Sequence, residues 1–394
     1  MAASGSTSPL RVVVLGAGFG GLELSTHVSW ACGDTAQITL IDQAPGFVFG
    51  FSKLDVMFGR DTAEHVTHLY RDAVMPGVTF VDATITAIDP VGRVVQTTAG
   101  AFEADILVVS LGCGVDPTST PGLIEGGHEF YTNAGAFALR ETLKAFEGGR
   151  VVVGVTSTPF KCPPAPSETA MLMHEFLSQR GLRDRSQIAL VMPFGRPVPP
   201  SPEASAVILA RFDEFGIEWH PDSVVTGLDP ERRMVLRSGH EGMPYDLFLA
   251  VPRHVAPDVV VAAGLTVDGW IPVDPHTMTT AFPDVYAVGD VTSVGTPKAG
   301  VFAEGQARIA AEHVISRVQG RSSDARYDGA GRCYLELGEG VVAQIDVTFA
   351  AGEAPHGTLF GPDASLQRDK NAFGTDRVQR WFGRSWRPGM PATN

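Results

Sequence analysis

Cys162 is a thiol in an unusual setting, the stretch KCPPAPSETA at residues 161–170. An apolar run, VVVGV at 151–155, precedes it and is typical of a buried parallel strand. Two prolines follow the cysteine and stiffen its loop, because proline fixes the backbone φ angle. The other cysteines, Cys32, Cys113 and Cys333, are too scattered for a zinc site or a disulfide scaffold. A pair of them in a reducing compartment would be catalytic or redox-sensing, whereas a single cysteine is more often a small buried side chain.

A glycine-rich turn near the N-terminus predicts a dinucleotide site. Gly16, Gly18 and Gly21 match GxGxxG in GAGFGG, with Phe19 and Gly20 between them. The turn follows the apolar strand RVVVL and opens a helix, which is the context that makes this motif specific. The three glycines allow a tight turn, close approach of backbone to pyrophosphate, and close packing of helix on strand. Asp42 ends the next strand, where a carboxylate can accept hydrogen bonds from ribose hydroxyls.

The C-terminal half indicates that the dinucleotide is FAD. The run TTAFPDVYAVGDVTSVGTPKAGVFAEGQA, residues 279–307, resembles the second FAD motif of the glutathione-reductase-like flavoproteins. That resemblance implies that Gly289 and Asp290 hold the ribityl chain. The N-terminus of the next helix, from Ala299, would face the flavin pyrimidine, and Lys298 could add a fixed positive charge. Gly112, in SLGCGVDP, also permits close approach to FAD.

A second glycine fingerprint, which would bind NADH or NADPH, is degraded. Only Gly154 remains in VVVGVTSTP, residues 151–159. Thr156 and Thr158 carry side chains where backbone should approach a phosphate, and Pro159 lacks an N–H group. The next strand, in IALVMPFG, ends without a ribose-binding carboxylate. We therefore expect electrons to reach the flavin from a donor other than a pyridine nucleotide, with Cys162 at the place where nicotinamide would be delivered.

With these motifs in place, the chain resembles a known family over nearly its full length. It is similar to the sulfide:quinone oxidoreductases and to the flavoprotein subunit of flavocytochrome c sulfide dehydrogenase. The most specific parts are KCPPAP, WIPVDPHTMTTAFPDVYAVGD and PKAGVFAEGQA. The resemblance implies that Cys162 and Cys333 form a redox disulfide that sulfide attacks, and that Glu168 is a base. A glutamate at a helix N-terminus is also common for dipole reasons alone.

Two departures from the family pattern concern cysteines. Many quinone-linked members carry a third cysteine in the segment that matches HEFYTNAGAF, residues 128–137, and none is present here. This absence puts the growth of long polysulfide chains in doubt. Cys113 lies in SLGCGVDP, which replaces the usual Ala-Thr-Gly hinge of these flavoproteins, and we interpret it as structural. Cys32, at the end of a helix, is expected to be inert.

The order of elements predicts an α/β fold with two Rossmann-like domains of the glutathione-reductase type and a small C-terminal region. Residues 1–115 and 245–325 are assigned to an FAD-binding domain in two parts, with YDLFLAVP as the return to it. Residues 116–244 are assigned to a second Rossmann-like domain carrying Cys162, with helices near 136–147 and 168–180 and a hairpin-like stretch near 217–240. Residues 326–394 would carry Cys333, strands in CYLEL and VAQIDVTF, and a short helix.

Composition excludes several classes of protein. The chain has 394 residues and a formal net charge of −14, which argues against a nucleic-acid partner. No apolar run is long enough to span a bilayer, and the N-terminus lacks a signal peptide, so a cytoplasmic location is expected. The tail KNAFGTDRVQRWFGRSWRPG has two open interpretations: a peripheral contact with the inner face of the membrane, or a helix packed on the flavin domain. The basic and aromatic residues behind the first interpretation are Arg377, Arg380, Arg384, Arg387, Val378, Trp381 and Phe382.

Four functions are consistent with this pattern. The first is a peripheral flavoenzyme that oxidises sulfide, a small thiol or a persulfide and reduces a quinone. The second is a sulfide dehydrogenase flavoprotein with a cytochrome acceptor. The third is a relative of type II NADH dehydrogenases, which the degraded second fingerprint disfavours. The fourth is a non-catalytic flavoprotein that senses redox state. No metal is expected, and the sequence leaves open whether the chain forms a homo-oligomer.

Overall fold

The computed structural model describes residues 8–388. Residues 1–7, where the expected lack of a signal peptide falls, and residues 389–394 lie outside the described part. The strands in chain order are β1 (Leu10–Leu15), β2 (Ala36–Asp42), β3 (Gly46–Phe47), β4 (His68–Leu69), β5 (Val78–Asp82), β6 (Ile85–Asp89), β7 (Val94–Thr97), β8 (Gly100–Glu103), β9 (Ile106–Val109), β10 (Gly114–Asp116), β11 (His128–Glu129), β12 (Gly149–Val155), β13 (Ser186–Val191), β14 (Ile217–His220), β15 (Val225–Asp229), β16 (Met234–Arg237), β17 (His240–Pro244), β18 (Leu247–Val251), β19 (Arg253–Val255), β20 (Val285–Ala287), β21 (Ala330–Glu336), β22 (Val342–Thr348) and β23 (His356–Asp363).

The helices include the one predicted after the glycine turn and the two predicted near 136–147 and 168–180. In chain order they are α1 (Phe19–Cys32), α2 (Gly50–Met57), α3 (Ala63–Val66), α4 (Leu123–Gly126), α5 (Asn133–Ala145), α6 (Ala165–Gln179), α7 (Pro202–Phe215), α8 (Asp258–Ala262), α9 (Gly300–Val318) and α10 (Leu366–Phe382). Local sequence sets some of their ends. The Ser201 side chain accepts the N–H of Ala204 at the start of α7, and Gly216 ends that helix with a φ of 60°.

Two five-stranded parallel sheets form the centre of the molecule. The first has the order β20-β9-β1-β2-β5, and the second has the order β11-β18-β12-β13-β14. The last four residues of β1 and the last five of β12 are apolar or glycine and are buried, as expected for sheets that are covered on both faces. The α/β fold class with two Rossmann-like sheets is thereby confirmed.

In both sheets the strand order reverses at the strand that precedes a predicted site loop, and we call this place the switch point. The strand is β1 in the first sheet and β12 in the second. β1 pairs with β2 on one side and with β9 on the other, and β12 likewise pairs with β13 and with β18. The chain leaves such neighbouring strands in opposite directions, which opens a crevice at their carboxyl ends. The fold therefore puts the Gly16 turn and the Cys162 loop at equivalent positions of the two sheets.

The run YDLFLAVP was wrongly assigned to the first sheet. It forms β18, which pairs in parallel with β12, with Leu247 opposite Val151 and Val251 opposite Val155. An apolar strand in the middle of a chain fits either sheet, and periodicity alone cannot distinguish them. The hairpin expected near 217–240 is confirmed, because β15 and β16 pair in antiparallel orientation within that stretch, while β14 joins the second sheet and β17 extends the hairpin. The remaining domain boundaries stay predictions.

The C-terminal region adds a sheet and a helix to this frame. β21, β22 and β23 form an antiparallel sheet, of which β23 was not predicted, and α10 is longer than the short helix expected there. α10 packs against α1 and against β22 and β23. Within residues 8–388, no helix is both long enough and apolar enough to cross a membrane.

Candidate active site

A cavity of about 340 Å³ lies between the two switch points and the C-terminal sheet. Both sheets and the C-terminal region contribute to it. The predicted residues that line it are Gly18, Phe19, Gly20, Gly112, Cys162, Glu168, Gly289, Asp290, Lys298, Ala299 and Cys333. Gly16, Gly21 and Asp42 are not among the lining residues. Most of the site residues predicted from the sequence therefore line one cavity, although they come from five separate parts of the chain.

The three glycines of the first turn have different surroundings. A Cβ atom at Gly16 would lie 2.6 Å from the Ser110 carbonyl oxygen, and one at Gly21 would lie 1.9 Å from the Gly16 carbonyl oxygen. Gly16 also has a φ of 93°, which favours glycine. A Cβ at Gly18 would have no heavy atom within 4 Å. Gly16 and Gly21 therefore close the turn, while Gly18 leaves open space beside the cavity, which fits a pyrophosphate.

Asp42 anchors the glycine turn. Its Oδ2 atom accepts the N–H of Ala17 at 2.7 Å, and its Oδ1 atom accepts the N–H of Ala44 at 2.8 Å. Burial raises the pKa of this carboxyl, and the two backbone N–H groups oppose that rise. A carboxylate has further lone pairs beyond these two bonds, so the site can still accept from a ribose hydroxyl. That role remains a prediction.

Asp290 faces the cavity from the loop between β20 and α9. The Cys113 thiol lies 3.9 Å from its Oδ2 atom, and burial raises the pKa of the Asp290 carboxyl. Burial, together with the Asp290 carboxylate, raises the pKa of Cys113 to about 12. A thiol held protonated beside a carboxylate is a poor nucleophile, in agreement with the structural role expected for Cys113.

The Lys298 side chain makes several contacts with neighbouring residues of the protein. Its ammonium donates to the carbonyl oxygens of Asp290 at 2.6 Å and Thr292 at 3.2 Å. It also lies 3.3 Å from the centre of the Trp270 ring. Lys298 therefore fixes the Asp290 loop, and its charge beside the flavin remains a prediction.

Gly289 is tied to α9, because its N–H donates to Gln306 Oε1 at 2.7 Å.

The loop that carries Cys162 connects the second sheet to the FAD half of the cavity. The N–H of Cys162 donates to the Lys298 carbonyl oxygen at 2.8 Å, and its carbonyl oxygen accepts from Ala165 at 2.8 Å. Cys162 has a φ of 48°, an uncommon value for a residue with a side chain. Such strained positions often occur at functional sites. The Cys162 residue is exposed, and it lines the cavity.

Cys333 reaches the same cavity from the C-terminal sheet. It lies on β21 opposite Ile345 of β22, and both Cys162 and Cys333 are free thiols in this structure. Burial raises the pKa of both thiols, to about 12 for Cys333. The Glu168 carboxyl raises the pKa of both thiols further. Cys333 also raises the pKa of Cys162, as expected for two groups that approach each other. The disulfide between them remains a prediction.

Glu168 lies in the first turn of α6 with 5% of its surface exposed. Its Oε1 atom accepts the N–H of Glu336 at 2.9 Å. Burial and the Glu336 carboxylate raise its pKa, while Lys370 and Arg60 act in the opposite direction. Lys370 and Arg60 both pair with Glu336. Glu168 can therefore carry a proton near neutral pH, which is what an acid–base residue needs.

Several lining residues have no counterpart in the sequence prediction. Lys53, on α2, is one; its only signal was a single lysine in the mostly apolar run FVFGFSKLDVMFG. Lys370 gave no signal, because it lies in the polar start of the C-terminal helix. Three aromatic residues also line the cavity near Lys370, and we call them the aromatic wall. Its members are Phe51, Tyr334 and Phe373.

The basic tail is a packed helix rather than an exposed patch. Val378, Trp381 and Phe382 are buried in the core of the first sheet and its helices. Arg377 donates to Glu304 Oε2 at 2.6 Å and 2.8 Å, and Arg380 donates to Glu304 Oε1 at 2.8 Å. These aromatic and arginine side chains are therefore engaged inside the protein, and the packed interpretation of the tail is the one observed. Arg384 and Arg387 follow the helix and do not share its face.

Comparisons with known proteins agree with this arrangement. The sequence model of the pyridine nucleotide-disulphide oxidoreductases matches residues 10–307. The mitochondrial sulfide:quinone oxidoreductase of Mus musculus is 22% identical over 355 residues, which cover 86% of this chain and 78% of that protein. The crystal structure of the sulfide:quinone oxidoreductase of Aquifex aeolicus superimposes with a TM-score of 0.84 at 20% identity, over 94% of this chain and 91% of that one.

A shorter match concerns the NADH-dependent alternative. The type II NADH:quinone oxidoreductase of Staphylococcus saprophyticus is 36% identical over 104 residues, but these cover only 26% of each chain. The match to the mouse protein has a lower sequence identity but is more than three times as long. Similarity to the mouse sulfide:quinone oxidoreductase therefore covers 86% of this chain, whereas similarity to the NADH-linked enzyme covers 26%.

Proposed function

Since the chain belongs to the pyridine nucleotide-disulphide oxidoreductase family, we propose that it is an FAD-dependent enzyme that oxidises sulfide, or a related thiol or persulfide, and passes the electrons to a quinone. One observation carries the proposal: Cys162, in the loop after β12, and Cys333, on β21, line the same cavity as the glycine turn. The similarity to sulfide:quinone oxidoreductases over 86% of the chain supports the choice of substrate.

The two cysteines are proposed to form the redox pair. In the oxidised pair, a sulfide ion attacks one sulfur of the disulfide, which forms a new sulfur–sulfur bond and releases the other cysteine as a thiolate. The attacked cysteine then holds the added sulfur as a persulfide. The released thiolate carries the electron pair that must leave the site. Burial disfavours this thiolate, so positive charge around the cavity is needed to support it.

FAD fits the residues beside the pair. Gly18 and the N-terminus of α1 would face the pyrophosphate, Asp42 the ribose, and Asp290 with Gly289 the ribityl chain. Ala299 and the N-terminus of α9 would lie beside the flavin ring. When bound there, FAD supplies a two-electron acceptor that can be reoxidised by a quinone. The chain's own contribution is to hold the glycine turn, the Asp290 loop and the Cys162 loop together through hydrogen bonds.

Glu168 is proposed to move the protons of the sulfur substrate. It is buried, it lines the cavity, and its raised pKa lets it hold or release a proton near neutrality. The Glu336 N–H fixes one carboxylate oxygen. The second oxygen is then available to a ligand in the cavity.

The quinone is proposed to bind at the aromatic wall. Phe373 stands edge-on to both other members, with ring centres 6.5 Å from Phe51 and 6.0 Å from Tyr334. A flat quinone ring packs well among such rings. Lys370 lies 5.1 Å from the centre of the Phe51 ring and could donate to a quinone oxygen. Its pKa is raised by Glu336 and Glu168, so it keeps its proton.

NADH is disfavoured as the electron donor by the second switch point. A Cβ atom on Gly154 would lie 2.6 Å from the Phe248 ring, so this glycine serves packing within the sheet. The loop after it, residues 156–164, carries Cys162 instead of a glycine cradle. The test is anaerobic mixing of the purified yellow protein with sodium sulfide and, separately, with NADH, followed by the flavin absorbance.

Rapid bleaching by sulfide but not by NADH is expected. Bleaching by NADH alone would overturn the proposal. The acceptor is tested next, by adding a short-chain ubiquinone analogue or cytochrome c to the sulfide-reduced protein. Reoxidation by cytochrome c and not by the quinone would replace the proposed acceptor with a protein.

A further inference from the structure

A second cavity, of about 190 Å³, adjoins the cavity of the candidate active site and has no part in the proposed function. Two residues, Phe51 and Lys370, line both cavities. We call the second one the polar cavity, after the side chains that line it: Asp55, Arg60, Glu336, Gln367, Lys370 and Asn371. Its volume is enough for several water molecules, since one water occupies about 30 Å³ in the liquid.

The charged groups of the polar cavity neutralise one another in one chain of ion pairs. Arg60 pairs with Asp55 Oδ1 at 2.7 Å and with Glu336 Oε2 at 2.5 Å. Lys370 pairs with the other carboxylate oxygen of Glu336. Two carboxylates therefore face two cations, so the cavity has no excess charge that would attract an ionic ligand. Its neutral balance and its polar lining suit water.

The ion pairs lead from the surface to the interior. The Arg60 side chain is 32% exposed, whereas Asp55, Glu336 and Lys370 are buried. Lys370 lies at the inner end, where it also lines the active-site cavity with the aromatic wall. The polar cavity therefore connects the exposed Arg60 to a buried ammonium group that faces the active site.

Quinone reduction creates a demand for protons at this ammonium group. A quinone takes up two electrons and two protons when it becomes a quinol. The reduced flavin supplies the two electrons and one proton, and Lys370 is the proposed donor of the other. A quinone at the aromatic wall would occupy the space on the active-site side of Lys370. The proton that replaces the donated one must then arrive from the other side, where the polar cavity lies.

We propose that the polar cavity is a water-filled proton inlet that recharges Lys370 during quinone reduction. Lys370 Nζ gives one proton to the quinone oxygen, and the neutral amine then takes one proton from a water in the polar cavity. That water regains its proton from solvent near Arg60. Each of these steps moves one proton and no electron. The inference rests on the proposed function, because it concerns the proton supply of the proposed quinone site.

Glu336 is a positioning residue in this scheme and does not carry the proton. Burial acts to raise its pKa, but Lys370 and Arg60 together lower the pKa to about 2, so the carboxylate stays ionised. The same carboxylate favours the ammonium form of Lys370, whose pKa is raised although burial acts to lower it. The neutral amine left after donation is therefore recharged readily.

The test blocks the polar cavity without changing a charged group. Gln367 and Asn371 line it but do not line the active-site cavity, and Gln367 Nε2 donates to Asn371 Oδ1 at 3.0 Å. The double variant Gln367→Leu/Asn371→Leu replaces both amides with apolar side chains. Arg368→Leu is the matched control, because Arg368 is an exposed residue of the same helix that lines neither cavity.

The full-length FAD-bound proteins are reduced photochemically and mixed anaerobically with a short-chain ubiquinone analogue. Flavin reoxidation should slow by about tenfold in the double variant and stay within about twofold of the wild type in Arg368→Leu. In the double variant, the ratio of the rates in H₂O and D₂O should also rise. Reoxidation by ferricyanide, which takes up electrons without protons, should be unchanged, and so should bleaching by sulfide.

Reoxidation by the quinone at the wild-type rate in the double variant would overturn the inlet and leave the proposed function intact. Equal slowing with the quinone and with ferricyanide would also overturn it, since the defect would then not concern protons. A wild type that the quinone does not reoxidise would remove the proposed acceptor and the inlet together. Circular dichroism and thermal unfolding verify the fold of each variant, and the single variant Asn371→Leu replaces the double variant if the latter does not fold.

Discussion

The loop after β1 and the loop after β12 occupy the same place in two similar sheets, yet they are built for different tasks. The glycine loop, residues 16–18, connects β1 to α1 in three residues. The cysteine loop, residues 156–164, needs nine to connect β12 to α6. The first keeps backbone open to a phosphate at Gly18, and the second presents a thiol on a strained residue, Cys162. Both sheets form a crevice at the carboxyl ends of their strands, and the sequence of the loop determines which ligand the crevice can bind.

The cysteine loop is attached to the FAD half of the cavity through Lys298. The cysteine loop is held by the segment before α9, because the Cys162 N–H donates to Lys298 and Lys161 forms a parallel bridge to the same residue. Lys298 in turn fixes the Asp290 loop of the FAD half. A change in the cysteine loop should therefore affect sulfur chemistry with little effect on FAD, while a change in the glycine loop should affect FAD first.

The largest effect is expected for Cys162→Ser. Removal of the sulfur eliminates one half of the redox pair, so the rate of flavin bleaching by sulfide should fall by at least about a thousandfold. FAD content, measured by absorbance of the purified protein, should not change. Cys32→Ala is the control, because Cys32 ends α1 and does not line the cavity. Sulfide bleaching that survives in Cys162→Ser would show that the cysteine loop is not the point of entry.

Glycine substitutions compare the loops directly. A Cβ at Gly21 would lie 1.9 Å from a backbone oxygen, so Gly21→Ala should lower the free energy of unfolding by roughly 3 kcal/mol and release FAD. Gly18→Ala meets no neighbour, so the apoprotein should unfold within about 0.5 kcal/mol of the wild type. Its affinity for FAD should nevertheless fall by about tenfold, because the added methyl group faces the phosphate. Thermal unfolding and fluorescence titration with FAD measure the two quantities.

The matching change in the second sheet is Gly154→Ala. Its Cβ would lie 2.6 Å from the Phe248 ring, so stability should fall while the FAD affinity of the folded fraction is retained. A loss of FAD in Gly154→Ala equal to that in Gly18→Ala would contradict the division of tasks between the two loops.

Glu168→Gln tests the acid–base part of the cysteine side. Glutamine can still accept the Glu336 N–H, but it cannot move a proton, so sulfide bleaching should slow by about a hundredfold. The raised pKa of Glu168 means that the folded state binds its proton more tightly than the unfolded chain. The wild type should therefore lose stability as pH rises above the unfolded pKa of glutamate, and the variant should not. Thermal unfolding of both proteins at pH 5 and pH 8 should show the variant gaining relative to the wild type.

Glu175→Gln is the control for this variant. Glu175 lies two turns further along α6 and accepts the N–H of Glu339 at 2.8 Å, but it does not line the cavity. Its substitution should leave both the bleaching rate and the pH dependence of stability near the wild type. Equal effects in both variants would assign them to the support of the C-terminal sheet rather than to proton transfer.

Sequence alone predicted the residues whose chemistry is local. The glycine turn, Asp290 and Cys162 stand in motifs that have a physical reason for each residue, and the cavity contains most of them. It assigned the run that forms β18 to the FAD-binding domain rather than to the second sheet, because an apolar strand carries no information on which sheet it joins. It also did not predict Lys53 or the aromatic wall, because these depend on packing between elements that are distant in the chain. The buried state of Trp381 likewise follows from its contact with α1 and from the pairing of its Nε1 with Glu23, at 2.8 Å.

The smallest effect is expected for Pro163→Ala, which removes one of the two prolines from the cysteine loop. The unfolded chain gains freedom, so the free energy of unfolding should fall by about 0.5 to 1 kcal/mol. Sulfide bleaching should stay within about threefold of the wild type, because Cys162 is held by hydrogen bonds to Lys298 and Ala165 rather than by the proline ring. Pro163→Gly extends the series with a still freer residue. A bleaching rate that falls steeply from proline to alanine to glycine would instead show that stiffness of the loop, and not its anchoring to the FAD half, positions the thiol.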